Sequence, residues 1–372
     1  MPLFKQTAYI SPSPISIAIG NAITIPTMAV VPAPQVYFDN QLITPINGKY
    51  IQDFGYYPQF GGGSVFPTSF VFSDLTGVMG NLLSSLPATT TSVDCPELVY
   101  VGGSLASGAG PNGYSSLTTL NYPKLKVVGG TLASFSSATV LTTLNVPELL
   151  SVSSLGGNFS ALSSLSLPKL KVAISMFSGS SLNLNVATSV DLSSIVYIGT
   201  TLSFAAPNCT TLTLPTLGTW KVLNGSFSAT SCAFNQTTVD NILAALAYMD
   251  GTNGTRAFSS QFGSTVTITG TSSAPSNLGS TTTAGSNFVG AGTTCTVNLT
   301  SHGYATDDVL RISGITTLTN ANRYARITVV NANQFTYTIT SQTATGAGTA
   351  TIIKAGASAK ALVTRFVTLT TN

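Results

Sequence analysis

At 372 residues the chain is long enough to bury a sizeable core and to divide into two or three domains. Only 7% of its residues are Asp, Glu, Lys or Arg, against about a quarter in ordinary globular domains, and the net charge of +3 forms no basic cluster, which argues against a nucleic-acid partner. So uncharged a chain fits an interior place in an assembly, or a surface tiled with Ser and Thr hydroxyls.

The opening residues, Met1 to Lys5, lack the basic start and unbroken apolar run of a secretory signal. Ile15 to Pro34 is apolar but interrupted by Gly20, Asn21, Pro26, Pro32 and Pro34, so no membrane-spanning helix is predicted. Residues 1–90 are Pro-rich and carry aromatics at Tyr37, Phe38, Tyr50, Phe54, Tyr56, Tyr57, Phe60, Phe66, Phe70 and Phe72. Apolar yet Pro-broken segments suit an extended N-terminal arm that orders against a partner subunit. An irregular cap over the first coil of the following region fits the same residues.

A fixed-period repeat begins near Val93. Cys95-Pro96-Glu97-Leu98 aligns with Tyr122-Pro123-Lys124-Leu125, Val146-Pro147-Glu148-Leu149 and Leu167-Pro168-Lys169-Leu170. Divergent copies follow at Ser193-Ser194-Ile195 and Pro215-Thr216-Leu217, and the steps between copies are 27, 24, 21, 25 and 22 residues. Upstream of each turn runs L-x-x-L-x-φ, as from Leu141 to Val146 and from Leu162 to Leu167. Spacing of about 20–29 residues predicts a solenoid in which each coil lays a short strand beside its neighbour, about 4.8 Å away. Leu120, Leu144, Leu165, Val190 and Leu212 then stack as one internal ladder, and Leu98, Leu125, Leu149, Leu170, Ile195 and Leu217 as another. Glu97, Lys124, Glu148 and Lys169 share one position and alternate in sign, which either keeps the coils in register or is chance alternation on a solvated edge.

This L-x-x-L-x-φ-P-x-L-x-x-V pattern, from Val93 to Trp220, resembles the leucine-rich repeats of bacterial surface antigens of the BspA-like type. It departs from them where most coils lack the usual Ala-Phe and Cys of the convex side. Cys209 falls at a Leu position and Cys232 lies 23 residues on, about one coil away. Either the two are bridged or both are buried free thiols.

After the last coil, Asn235 to Gly251 predicts a helix capped by Thr237 or Thr238, supported by Asp240, with Val239, Ile242, Leu243 and Leu246 on one face and Gly251 as its stop. Val266 to Ser276 predicts a strand ending in a turn. The cassette T-x-x-V-D-N-I-L-A-A-L, a strand and S-A-P-S resembles one found in phage-encoded leucine-rich and tail-associated proteins. That family ends in a T-x-T-T-N-like strand, which Lys360 to Asn372 fits only after some seventy intervening residues. An insertion at about Gly285 to Lys354 follows from that likeness.

Within the insertion, alternation predicts five strands: around Cys295–Leu299, Asp307–Ser313, Arg326–Val330, Phe335–Ile339 and Ala350–Ile353. They suit a small antiparallel β-barrel or sandwich. The run His302 to Gly314 resembles H-G-x-x-x-x-D-x-V-x-I-x-G of a β-module common in phage structural proteins. Arg323 stands where that family places Gly, so a different turn is expected at Asn322.

No catalytic constellation emerges. The one histidine, His302, sits in a predicted Gly turn, and no Ser/His/Asp set forms around it. Asp94 and Asp191 share a repeat position several coils apart, and Asp307 and Asp308 are adjacent on a predicted strand, facing opposite ways. Cys95, Cys209, Cys232 and Cys295 lack metal-ligand spacing, and there is no P-loop or dinucleotide fingerprint. No enzyme activity, cofactor or metal is expected. The candidate partner face is the outward row Asp94, Asn121, Asn145, Ser166, Asp191 and Thr213, with Thr119, Thr143, Ser164, Ser189 and Thr211 beside it. Such a row either holds a glycan or closes on itself as stacked Asn/Thr ladders.

The expected protein is thus mainly β: an arm or attachment region (1–90), a short leucine-rich-repeat solenoid with a capping helix (91–284), an inserted β-module (285–354), and a C-terminal strand completing the cap (355–372). The resemblances imply a bacteriophage virion structural protein, a capsid-decorating, head-fibre or tail-fibre subunit on the particle surface. Its expected partners are other virion proteins through the arm and further copies of itself. The rival reading is a receptor- or glycan-binding adhesin of a virion or bacterial surface.

Overall fold

The computed structural model of the chain describes residues 4–5, 30–31, 35–38, 41–45, 47–51, 68–83, 88–105, 114–132, 139–156, 159–176, 182–215, 220, 222–223, 225–247, 265–276, 282–284, 288–346, 350–364 and 368–371. The protein is mainly β and contains a β-solenoid of about five turns.

From Ser92 onward each coil opens on a three-residue face strand with one inward apolar residue between two outward polar ones, because side chains alternate along a strand. Leu120 lies between Thr119 and Asn121, Leu165 between Ser164 and Ser166, and Leu212 between Thr211 and Thr213. The repeat Pro then occupies the second position of a turn, where its fixed φ is already suited. The Leu125 amide closes that turn on the Tyr122 carbonyl at 3.2 Å, and Leu98, Leu149, Leu170 and Ile195 do the same on Cys95, Val146, Leu167 and Leu192. All five closing side chains are fully buried, which stabilises the fold by up to about 1.5–3 kcal/mol each. Leu217, the sixth of that predicted file, lies outside the described residues.

Past the turn a second strand joins a nine-stranded sheet, the long sheet. Its parallel members include Tyr100–Val101, Val127–Thr131, Ser151–Ser154, Val172–Ser175, Tyr197–Ile198 and Val222–Leu223. Val101, Val128, Val152, Ala173, Ile198 and Leu223 face inward and are buried. The coils stack so closely here that a Cβ on Gly129 would fall 2.1 Å from the Gly102 carbonyl oxygen.

The stack starts earlier than the repeat near Val93 indicates. Ser69–Val71 pairs in register with Ser92–Asp94, and Leu75–Val78 pairs with Tyr100–Val101. Lys49–Ile51 extends the long sheet further, and Val30–Val31 closes that end antiparallel. Tyr50, Phe70 and Phe72 are buried, as are Leu75, Val78 and Leu82. The strands Gln35–Phe38 and Gln41–Leu42 lie over the outer side of the long sheet, where Val36 and Ile43 cluster with Tyr100 and Val127. Phe54, Tyr56, Tyr57, Phe60 and Phe66 lie outside the described residues.

The helix α1 (Gln236–Ala247) buries Val239, Ile242, Leu243 and Leu246. Its cap differs from the expectation: the Asn235 carboxamide accepts from the Thr238 amide at 2.8 Å, an N-cap geometry that Asn fills well. The Thr238 hydroxyl instead donates to the Thr210 carbonyl at 2.9 Å, fastening the helix onto the last face strand. Asp240 accepts from the Ser276 amide at 2.9 Å. Gly251 lies outside the described residues.

A further parallel sheet runs Leu182–Asn183, Leu202–Ala205, Phe227–Cys232, Thr265–Gly270 and Thr368–Thr371. Its last two strands, paired from Thr265 with Thr368 to Ile268 with Thr371, stand far apart in sequence. Between them lies an eight-stranded antiparallel sheet. Its order is Thr282–Ala284, Ala350–Lys354, Val309–Ser313, Arg323–Asn331, Gln334–Thr338, Thr294–Asn298, Phe288–Ala291 and Ala344–Gly346. Phe288, Val297, Leu310, Ile312, Ile327, Phe335 and Ile352 fill its own cluster. Three of these strands, built from T-T-A, F-V-G-A and A-T-G, have too little alternation to be predicted. The strand at Arg323 begins directly after a turn that Asn322 clamps, its side chain bonding both the amide and the carbonyl of Ile315 at 2.9 and 2.7 Å.

The segment read as a terminal strand is helical at first: α2 spans Ala357–Thr364, and among the described residues the strand is Thr368–Thr371. Its Ala-rich start favours helix, and the Lys360 amide bonds the Gly356 carbonyl at 2.9 Å. Among the described residues no helix is long and apolar enough to cross a membrane.

Candidate functional site

The candidate face is set by strand register. Asp94, Asn121 and Asn145 are Cα partners in consecutive coils, as are Ser166, Asp191 and Thr213. Beside them Ser92, Thr119 and Thr143 form one file, and Ser164, Ser189 and Thr211 another. The Asn121 amide donates to the Asp94 carboxylate at 2.8 Å, and the Asn145 amide donates to the Asn121 oxygen at 2.6 Å. The hydroxyls of Thr91, Thr118, Thr142 and Thr210 donate to carbonyls one coil back, at Thr68, Thr91, Thr118 and Thr188. Ser92 donates to Ser69 at 2.7 Å, and Asp191 accepts from the Ser193 amide at 2.9 Å. The row from Asp94 to Asn145 is therefore bonded along the stack, whereas Asp191 bonds within its own coil. Asp94 and Asp191 stand four coil steps apart, roughly 19 Å at about 4.8 Å each, too far to share one substrate bond.

The face is not continuous. Its strands pair from Ser69–Val71 to Thr143–Asn145 and again from Ser164–Ser166 to Thr211–Thr213, with no pairing between these two groups. The break coincides with the shortest repeat, the 21 residues from Pro147 to Pro168. In the long sheet the same coils remain joined, with Ser151 opposite Val172. Leu144, beside the break, is only half-buried, whereas Leu120, Leu165, Val190 and Leu212 are 3% exposed or less. This opening has no local signature beyond the shortened spacing.

The alternating charges resolve into two ion pairs rather than one ladder. Lys124 bonds Glu97 at 2.7 Å and Lys169 bonds Glu148, while among the described residues nothing bridges Lys124 to Glu148. All four side chains are over one third exposed, so each pair contributes at most about 1 kcal/mol.

His302 has both ring nitrogens against backbone: Nδ1 accepts from the Tyr304 amide at 3.0 Å, and Nε2 lies 3.0 Å from the Asn331 carbonyl. Its ring stacks on Tyr304 and meets Phe335 edge-on. Asp307 is not on a strand but in a turn, at φ 74°, a left-handed conformation that Asp tolerates, and it is bound to Arg326 at 2.8 Å. Asp308 turns inward to 4% exposure, accepting from the Ala305 amide at 3.0 Å and facing Lys354 at 2.8 Å and Lys360 at 3.5 Å. Burial pulls its carboxyl up, but the Ala305 amide and the two lysines outweigh that and hold it below the usual range.

Cys95, Cys209, Cys232 and Cys295 are free, buried thiols. Burial pushes Cys209 up to about 11 and Cys232 up to about 12. Among the described residues no group of His, Cys, Asp and Glu could hold a metal ion. Comparison with protein-family models, with curated proteins and with solved structures finds no match to this chain.

Proposed function

We propose that this protein is a non-enzymatic structural component of a bacteriophage particle, a capsid-decorating, head-fibre or tail-fibre subunit displayed on the virion exterior. The observation that carries this reading is how the solenoid spends its polar groups. Between Thr91 and Asn145 its outward amides and hydroxyls bond from coil to coil, so they stiffen the stack instead of converging on a substrate. In this reading the solenoid is of the leucine-rich type and serves as a spacer. The eight-stranded insertion is a small barrel or sandwich that it displays, and part of the first ninety residues is an attachment arm onto other virion proteins. The likeness of the α1 cassette and of His302 to Gly314 to phage modules supports the particle assignment.

The test is immunogold electron microscopy of purified particles with an antibody against residues 285–354. Labelled particle surfaces are expected, and absence of the chain from purified particles refutes the assignment. Removing residues 1–34 should abolish attachment while the solenoid still unfolds cooperatively. Attachment at the full level after that deletion removes the arm from the reading.

A further inference from the structure

The last coil of the stack consists of α2 and Thr368–Thr371. The helix lies against α1, and Thr368–Thr371 pairs with Thr265–Gly270, leaving its other edge without a strand among the described residues. Both elements also lie beside Arg323–Asn331 of the insertion, with Cα atoms within 8 Å, and α2 lies beside Val309–Ser313 as well. Val309 and Tyr324 in this seam are buried with Ala355 and Ala359 in the solenoid's cluster, not in the insertion's own. Asp308 adds an ion pair to Lys360 of α2 at 3.5 Å. The chain leaves and re-enters the cap at one point, where the Gly356 amide bonds the Ser276 carbonyl at 2.9 Å and the Ser276 amide bonds Asp240 of α1 at 2.9 Å. The insertion therefore occupies the place that a further coil would take.

An exposed edge strand is a template for pairing with another chain, and a solenoid is a row of such strands whose last member needs a cover. At the opposite end Val30–Val31 covers the long sheet by pairing antiparallel with Tyr50 and Ile51. A cover with free edges of its own would only move the problem outward. The insertion's outermost strands share one ladder: Ala284 stands opposite Ala350 and Phe288 opposite Gly346, four residues further on one strand and four back on the other. The two ends of its sheet thus continue each other at an unbroken register, as they must in a sheet that closes on itself.

We propose that the insertion is a closed barrel acting as a stopper: seated on α2 and Thr368–Thr371, it keeps the end of the solenoid from adding a second copy of this chain. The partner it excludes is the same end of another molecule, because Val30–Val31 closes the opposite end, so loss of the stopper gives tail-to-tail dimers. The proposal stands whether or not the chain is carried on a virion. Replacing residues 277–355 by two glycines joins Ser276 to Gly356 and should leave the coils folded by far-ultraviolet circular dichroism. Sedimentation equilibrium of that variant should show a concentration-dependent doubling of mass that the full chain lacks. Hydrogen exchange at Thr368–Thr371 should slow roughly tenfold as its dimers form. Val309→Glu with Tyr324→Glu charges the seam without touching the barrel's own core, and in the full-length chain should raise exchange at Thr368–Thr371 and promote the same dimer. Val330→Glu, at an exposed position near the far end of Arg323–Asn331, should change neither. A folded excision variant with the mass of the full chain, association that leaves Thr368–Thr371 unprotected, open-ended polymers, or an equal effect of Val330→Glu overturns the proposal. If the excised chain does not fold, unchanged mass and exchange in the seam variant overturn it.

Discussion

Gly129→Ala tests whether the coils are stacked as tightly as the long sheet requires. A Cβ at this position falls 2.1 Å from the Gly102 carbonyl oxygen, a backbone atom that cannot swing aside as a side chain would. Carbon–oxygen contacts close no nearer than about 3.3 Å, so roughly 1.2 Å of separation must open in a stack spaced at about 4.8 Å. Overpacking of this kind costs about 1–3 kcal/mol. The neighbouring bond from the Gly130 amide to the Gly103 carbonyl, 2.8 Å long, would be strained as well. Losing it adds about 1 kcal/mol, while the less flexible unfolded chain returns about 0.4–1 kcal/mol. The net expectation is a loss of about 2–3 kcal/mol, read as a lower urea midpoint at unchanged slope by far-ultraviolet circular dichroism. Gly156→Ala is the matched control, because its added Cβ would meet nothing closer than 3.6 Å. It should be neutral or slightly stabilising. If Gly129→Ala is as stable as the parent, or if Gly156→Ala costs as much, the packing argument is wrong.

Three further expectations rest on buried groups. Asp308 has a lowered folded pKa, so its contribution is complete above its unfolded value near 3.8 and is lost as pH falls through the lower folded value. Asp308→Asn should therefore cost about 1–3 kcal/mol at pH 7, discounted for the partly exposed lysines, and progressively less as pH falls below 3.8; a pH-independent difference in melting would refute the ion cluster. Tyr122 is fully buried with no hydrogen-bond partner for its hydroxyl among the described residues, so Tyr122→Phe should be neutral or stabilising by up to about 1 kcal/mol, and a clear loss in urea midpoint would reveal a partner. The four buried thiols should resist an aromatic disulfide reagent at pH 8 in the native protein and all react in urea; only two reacting in urea would mean that a pair is bridged.

Much of the solenoid was legible because its information is local. A residue's place in L-x-x-L-x-φ-P decides whether it points in or out, and period-two alternation put Leu120 inside with Thr119 and Asn121 outside, as the coil has them. The helix from Asn235 was equally readable from its apolar face, though its cap was not, since Thr238 is recruited by Thr210, 28 residues upstream. The coil of Ser69–Val78 escaped notice because Phe70 stands where other coils use Val or Leu, and Ser73 stands where most use Pro. The α2 helix was hidden by reading its segment through a strand-forming likeness.

The sequence by itself determined the coil: which side chains face the core, where the chain turns, and which small polar residues form the outward row. Only the tertiary structure decided how neighbouring coils meet. Whether Lys124 pairs backward or forward, whether Asp308 is buried against two lysines, and whether the face closes between Asn145 and Ser166 all depend on distances between strands. Strand direction and facing are set within a few residues by backbone sterics and alternation. Strand separation is set by the whole stack, where one coil a few residues shorter than its neighbour shifts a rim without changing any local pattern.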